Sequence, residues 1–275
     1  MVALLLSSPI TCFVLLGIVT LLVGSFLNVV IYRLPRMIQA HCQDTTSITT
    51  LNLCFPRSFC PHCQITIPFW HNIPFLSFLI NHARCFACQA PIARRYFIVE
   101  MLTPLCSILA AIQFGFSMTL LYALLFTWII ICITFIDLEH QLIPDELSLG
   151  LLWIGLLSNL SFSFAPLADA VLGAICGYVS LWGFIKLYQG ITQKIAMGHG
   201  DFKLFAALGA WFGWAQLPII LFIASLFGAV IGIVYLKKTK QSNSTPIPFG
   251  PFLCFSGFMM LYLHDILLNY FIGQN

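Results

Sequence analysis

Eleven cysteines and nine acids hold most of the reactive chemistry in this chain. Four of the cysteines form two Cys-x-x-Cys knuckles, Cys60-Pro61-His62-Cys63 and Cys85-Phe86-Ala87-Cys88, with 21 residues between them. A two-residue gap lets one turn aim two thiolates at one ion. The spacing therefore predicts a tetrahedral zinc site at Cys60, Cys63, Cys85 and Cys88. A pair of disulfides is the alternative, disfavoured in a reducing compartment. A redox Cys-x-x-Cys pair would explain one knuckle but not two. The other cysteines lie mostly in apolar stretches, where cysteine behaves as a small hydrophobe.

The acids are placed unevenly. Asp137, Glu139, Asp145 and Glu146 cluster in one ten-residue segment, and Asp201 stands in Gly198-His199-Gly200-Asp201-Phe202-Lys203. Asp137 directly follows Ile-Thr-Phe-Ile, and Asp201 opens the next apolar run behind two glycines. Ionisable groups at membrane depth are costly and are usually functional. Two aspartates held close cannot both ionise easily, so one proton is shared between them. The ionised member would take a proton from water, and the protonated one would polarise a scissile carbonyl. That is aspartyl proteolysis. Spacing alone leaves two other readings: aspartates that only solvate or cap helix ends, and a proton relay or cation site.

Something must hold these groups at one depth. Of the 275 residues 60% are apolar and only 8% charged, against about 25% charged in a soluble domain. A water-soluble enzyme, a disordered chain and a coiled coil are excluded, and the +3 net charge is too small for a nucleic-acid binder. The composition is that of an all-α polytopic membrane protein. Uncharged or nearly uncharged stretches at 4–32, 98–136, 147–185, 204–236 and 247–272 divide into about eight spans of roughly 20 residues, the helix near 204–211 being the shortest. All six arginines lie between Arg33 and Arg95, and all six lysines lie at or after Lys186. With eight spans every one of them falls on the same face, which the positive-inside rule makes cytoplasmic. Breaks are expected near Gly115, around Ser161 to Pro166, and at Gly209, Gly213 and Pro218. The first stretch lacks preceding basic residues, so it reads as a retained span rather than a leader. The organisation expected is a first span (1–32), a cytoplasmic zinc-binding insert (33–96) and a core of about seven spans (97–275).

Taken together, these motifs resemble the type IV prepilin peptidases, bacterial inner-membrane leader peptidase/N-methyltransferases. The resemblance runs from Gly24-Ser25-Phe26-Leu27-Asn28 through Arg33-Leu34-Pro35, the two knuckles and Arg95-Tyr96-Phe97-Ile98-Val99-Glu100. It continues through the Asp137 to Asp145 segment, the Asp201 motif and Ile247-Pro248-Phe249-Gly250-Pro251-Phe252. Phe97 stands where the family usually has proline. By motif, Asp137 and Asp201 match the catalytic aspartates. Asp145 is the nearby competitor, but it follows Pro144 and reads as a helix cap. The resemblance implies prepilin or pseudopilin substrates with a short basic leader, cut on the cytoplasmic side. It also implies methylation of the new N-terminus by S-adenosylmethionine. The sequence shows no methyltransferase signature of its own, and Glu100 is a possible participant beside its plainer role as a first-turn acid near Arg94 and Arg95. A proton-coupled carrier and a non-catalytic assembly scaffold are the competing classes.

Overall fold

The computed structural model describes residues 9–42, 52–55, 57–60, 62–66, 68, 84–161, 163–193, 197–239 and 248–272. His71, His82, Lys194 and Lys240 lie outside them, as do the side chains of His41, Cys42, His264 and Asp265. Among the described residues there are eight α-helices, in line with the expected all-α membrane architecture. Five are long and apolar enough to cross a membrane: Ile10–Ala40, Arg94–Phe114, Met118–His140, Leu167–Thr192 and Trp214–Tyr235. The chain divides into two compact units, Met1–Leu120 and Leu121–Asn275.

The first unit holds α1 (Pro9–Cys42), the two cysteine knuckles and α2 (Arg94–Phe114). A 34-residue helix is about 51 Å long, more than a bilayer needs, so α1 runs on past Arg33. Helices α1 and α2 pack in opposite directions: Gly24 lies against Glu100 and Thr103, while Asn28, one turn later, donates to the Tyr96 carbonyl at 3.0 Å. A Cβ on Gly24 would stand 3.2 Å from the Glu100 Cα, so glycine is what permits the approach. Arg33, only 5% exposed, donates to the Asn52 carbonyl at 2.8 Å and ties that segment back to α1. Helix α2 stops where Gly115 takes a left-handed conformation (φ 60°) and returns its N–H to Ala111.

The second unit is built from α3 (Met118–His140), α4 (Asp145–Asn159), α5 (Leu167–Thr192), α6 (His199–Phe212), α7 (Leu217–Thr239) and α8 (Gly250–Ile272). At 15 and 14 residues, α4 and α6 reach only about 22 and 21 Å, short of the roughly 30 Å hydrocarbon core. Of the three expected breaks near α6, only Gly213 acts as one, at φ 81°. Pro218 sits in the first turn of α7, where its missing N–H costs nothing. Gly209 is mid-helix instead, backbone to backbone with Gly173 of α5; a Cβ on either would collide with the other's carbonyl.

Helix α6 is the buried post of this unit. Phe202 and every residue from Leu204 to Phe212 are buried. The Trp211 indole donates to the Leu151 carbonyl at 2.8 Å, and its ring packs on Phe126 and Phe164. Asn159 closes the far end. Its Nδ2 donates to the Ala210 and Trp211 carbonyls, and its Oδ1 accepts from the Phe164 and Ala165 amides. All four polar positions of this fully buried amide are used, which is what lets it stop α4 and pin α6.

Candidate active site and metal centre

The two knuckles are the same turn written twice. Cys60 and Cys85 each accept at their carbonyl from the residue four places on, Gln64 and Gln89, at 2.9 and 3.0 Å. Both glutamines are left-handed, with φ of 58° and 59°. Each turn is closed by an antiparallel bridge, Phe59 with Thr66 and Arg84 with Pro91. The Sγ atoms of Cys60, Cys63, Cys85 and Cys88 all lie within 4.8 Å of one another, a cluster that can hold a metal ion. Cys60 and Cys88 are separated by 3.8 Å, Sγ to Sγ. Four sulfurs at about 2.3 Å from a central zinc have edges of about 3.8 Å, so the donor set fits zinc in both chemistry and size. Backbone N–H groups of Cys88 and Ala87 pull the Cys85 thiol down to about 7.

Asp137 occupies the last turn of α3 and is 5% exposed. Asp201 is the third residue of α6. The fold brings the two into electrostatic contact. One oxygen of each carboxylate, Oδ2 of Asp137 and Oδ1 of Asp201, is buried with no hydrogen-bond partner. The Asp201 carboxylate also meets the backbone N–H of Gly198 at the start of α6, the return half of a capping box. Capping thus uses part of this group and leaves the other oxygen over.

Asp145 is not the cap that its sequence position suggests. The cap position belongs to Pro144, which has no side-chain donor or acceptor, and no side-chain capping bond is made there. The Asp145 carboxylate instead pairs with Lys203 at 2.6 Å and is 56% exposed. Asp169 is half-buried and accepts from the Trp214 indole at 3.3 Å.

Three residues near the aspartates were not singled out as site residues in the sequence. The backbone N–H of Gly250, at the start of α8, meets the Asp137 carboxylate. A Cβ built on Gly250 would stand 2.5 Å from Asp137 Oδ2 and 2.9 Å from Ile143 Cδ1. Ile143 is also what fills the space at Gly200, where a Cβ would stand 2.8 Å from its own. One buried isoleucine thus sits against both the Asp201 motif and the start of α8. Cys254, one turn into α8, is 1% exposed, bonds to Thr134 and feels both carboxylates. Its apolar surroundings in sequence gave no hint of this. Gly250 did carry a signal, its place between Phe249 and Pro251, whose spatial partner only the fold reveals. Gly250→Ala should displace the Asp137 carboxylate and, on the aspartyl-proteolysis expectation from the sequence, lower peptide cleavage by about a hundredfold. Its level in the membrane should be unchanged. Wild-type turnover by this variant would show that Gly250 does not hold Asp137 in place.

Comparison with known proteins agrees with this layout. Residues 124–233 match the type IV leader peptidase family, and residues 18–114 match the bacterial peptidase A24 N-terminal domain. The chain is 48% identical to a prepilin leader peptidase/N-methyltransferase of Legionella pneumophila, with 98% of each chain covered. The chain belongs to the type IV leader peptidase family. Other relatives in this family bear the same name. One from Aeromonas hydrophila is 45% identical over 94% of this chain and 93% of its own. One from Pseudomonas aeruginosa is 44% identical over 92% and 90%. No solved structure matches. The family's peptidase region contains Asp137 and Asp201, and its N-terminal domain contains Asn28, all four knuckle cysteines and Glu100.

Proposed function

We propose that this chain removes the basic leader from type IV prepilins and related pseudopilins, with Asp137 and Asp201 as the catalytic pair. It then methylates the new N-terminus. The observation that carries the reading is the pair of aspartates on the ends of two different helices, each with one buried oxygen that has no hydrogen-bond partner. Such a pair shares one proton. Its charged half draws a proton from water, and its protonated half polarises the scissile carbonyl. The names borne by the Legionella, Aeromonas and Pseudomonas relatives support the substrate class and the second activity.

The protein lies in the bacterial inner membrane, with its arginines, its lysines and both aspartates toward the cytoplasm. The charge asymmetry of the sequence supports that orientation. Cys60, Cys63, Cys85 and Cys88 hold a structural zinc. Four thiolates complete its coordination and leave no position for water, so the ion takes no part in the cleavage. The methyl donor is S-adenosylmethionine, which supplies an electrophilic methyl group. The residues of the first unit fit the amine side of that reaction, because Asn28 presents a buried oxygen with no hydrogen-bond partner.

The test is incubation of the purified protein with a prepilin, with and without S-adenosylmethionine, followed by mass measurement. The expected product has lost its leader, and with the donor present it is heavier by one methylene. A carrier or a scaffold would return the prepilin intact.

A further inference from the structure

The loop between α3 and α4 buries an isoleucine beside the aspartate pair. Both ends of that loop are anchored. Gln141 is left-handed (φ 50°) and returns its N–H to the Asp137 carbonyl at 2.9 Å, so the loop starts from Asp137 itself. Pro144 holds the cap position of α4 at φ −63°, and a residue before proline is restricted to extended backbone. Ile143 lies between these anchors and is 8% exposed. As a β-branched residue it is also stiff at χ1.

Each end of that side chain lies against a glycine. A Cβ on Gly200 would stand 2.8 Å from Ile143 Cβ and 3.5 Å from its Cγ1. A Cβ on Gly250 would stand 2.9 Å from its Cδ1. Gly200 is the residue before Asp201, and Gly250 gives its N–H to the Asp137 carboxylate. A continuous line of contact therefore runs from Asp201 through Gly200, the length of the isoleucine and Gly250 to Asp137. A catalytic constellation has to be held to within about 0.5 Å. One C–C bond is about 1.5 Å long. A side chain shorter by one methyl group exceeds that tolerance.

We propose that Ile143 is a positioning residue whose side chain sets the separation of the Asp137 and Asp201 carboxylates. This rests on the catalytic reading given above. Ile143 has no group that can exchange a proton, so its effect comes entirely through Gly200 and Gly250. A proton shared between two carboxylates needs an O–O distance of about 2.5–2.7 Å. The isoleucine gives the starts of α6 and α8 a common stop, and the two carboxylates keep one spacing because of it. A shorter residue removes the stop at the α8 end, and the pair then spends less of its time at sharing distance.

The experiment is a double-variant cycle on the full-length protein with a prepilin substrate. Ile143→Val, which removes only Cδ1, should slow cleavage by about tenfold, and Ile143→Ala by about a hundredfold, the scale of an ångström-sized displacement. Ile143→Leu restores the reach and should recover most of the rate. In the Ile143→Val/Gly250→Ala double variant the new methyl enters the space that Cδ1 leaves. It should cleave no slower than Gly250→Ala alone, whereas independent losses would multiply to about a thousandfold. A variant that was merely less stable would give the multiplied loss, with a lower level in the membrane and a lower unfolding temperature in detergent. If Ile143→Ala does not accumulate, Ile143→Val and the double variant decide the matter. Wild-type cleavage by Ile143→Val, or the multiplied loss in the double variant, would overturn the assignment, and with Asp137→Asn and Asp201→Asn inactive the catalytic reading would still stand. Full cleavage by either aspartate variant would remove that reading and this assignment together.

Discussion

Asp137→Asn and Asp201→Asn are each expected to abolish leader cleavage, with the protein still present in the membrane at its normal level. Asparagine has the size and shape of aspartate, so the packing around α3 and the start of α6 has no reason to change. What disappears is the ability to share one proton. In the mechanism proposed above the pair presents a base to water and an acid to the carbonyl in the same turnover, and an amide does neither. Removal of one such group costs about 10²–10⁴-fold, and the roles here depend on each other, so the loss should lie at the upper end or beyond. Asp145→Asn is the internal control. Its carboxylate is 56% exposed and paired with Lys203, and a surface pair of that kind is worth about 0–1 kcal/mol. Cleavage by this variant should stay within severalfold of wild type. Mass measurement of the products, with immunodetection of the membrane fraction, reads all three variants. Full activity in either member of the pair, or equal loss at Asp145, would mean the wrong carboxylates have been chosen.

The second large effect is expected at the knuckles. Elemental analysis of the purified protein should find one zinc per chain, and none in a Cys60→Ser/Cys85→Ser double variant. Among the described residues the knuckles are short turns with two isolated bridges, too small to bury an apolar core of their own. Metal binding has to supply the folding free energy, which is about 10–16 kcal/mol in zinc-finger peptides. The metal-free knuckles should therefore open, and proteases should cut between α1 and α2 within minutes where the wild type resists. Metal-free wild type with two disulfides would refute the site.

How much of this was readable before folding differs from element to element. The knuckles were legible because one ion fixes both residue type and spacing over a few residues. The breaks near Gly115 and around Ser161 to Pro166 were legible for the same local reason. The role of Gly209 was not, since a glycine that ends a helix and one that admits a neighbouring backbone look alike in sequence. Asp145 misled in a similar way. Proline before an acid marks a helix start, but the partner of that acid, Lys203, is 58 residues away. Asn28 and Gly250 show the same limit from the functional side. Each sits in a recognisable run, yet what makes it matter is an atom on another helix.

The enclosure of α6 bears on how the protein is made. A segment handed to the bilayer during synthesis is sorted by its own length and apolarity, and α6 is too short to pass that sorting unaided. Its neighbours α4, α5, α7 and α8 take the place of lipid around it. The polypeptide carrying Asp201 therefore commits to the membrane only once α7 has emerged to pull it across, and it docks on an α4–α5 pair already waiting there. Nascent chains halted with α6 but not α7 clear of the ribosome should remain extractable at that segment, and chains halted with α7 fully clear should not. The aspartate pair proposed to cut the leader would then be among the last parts of the molecule to form.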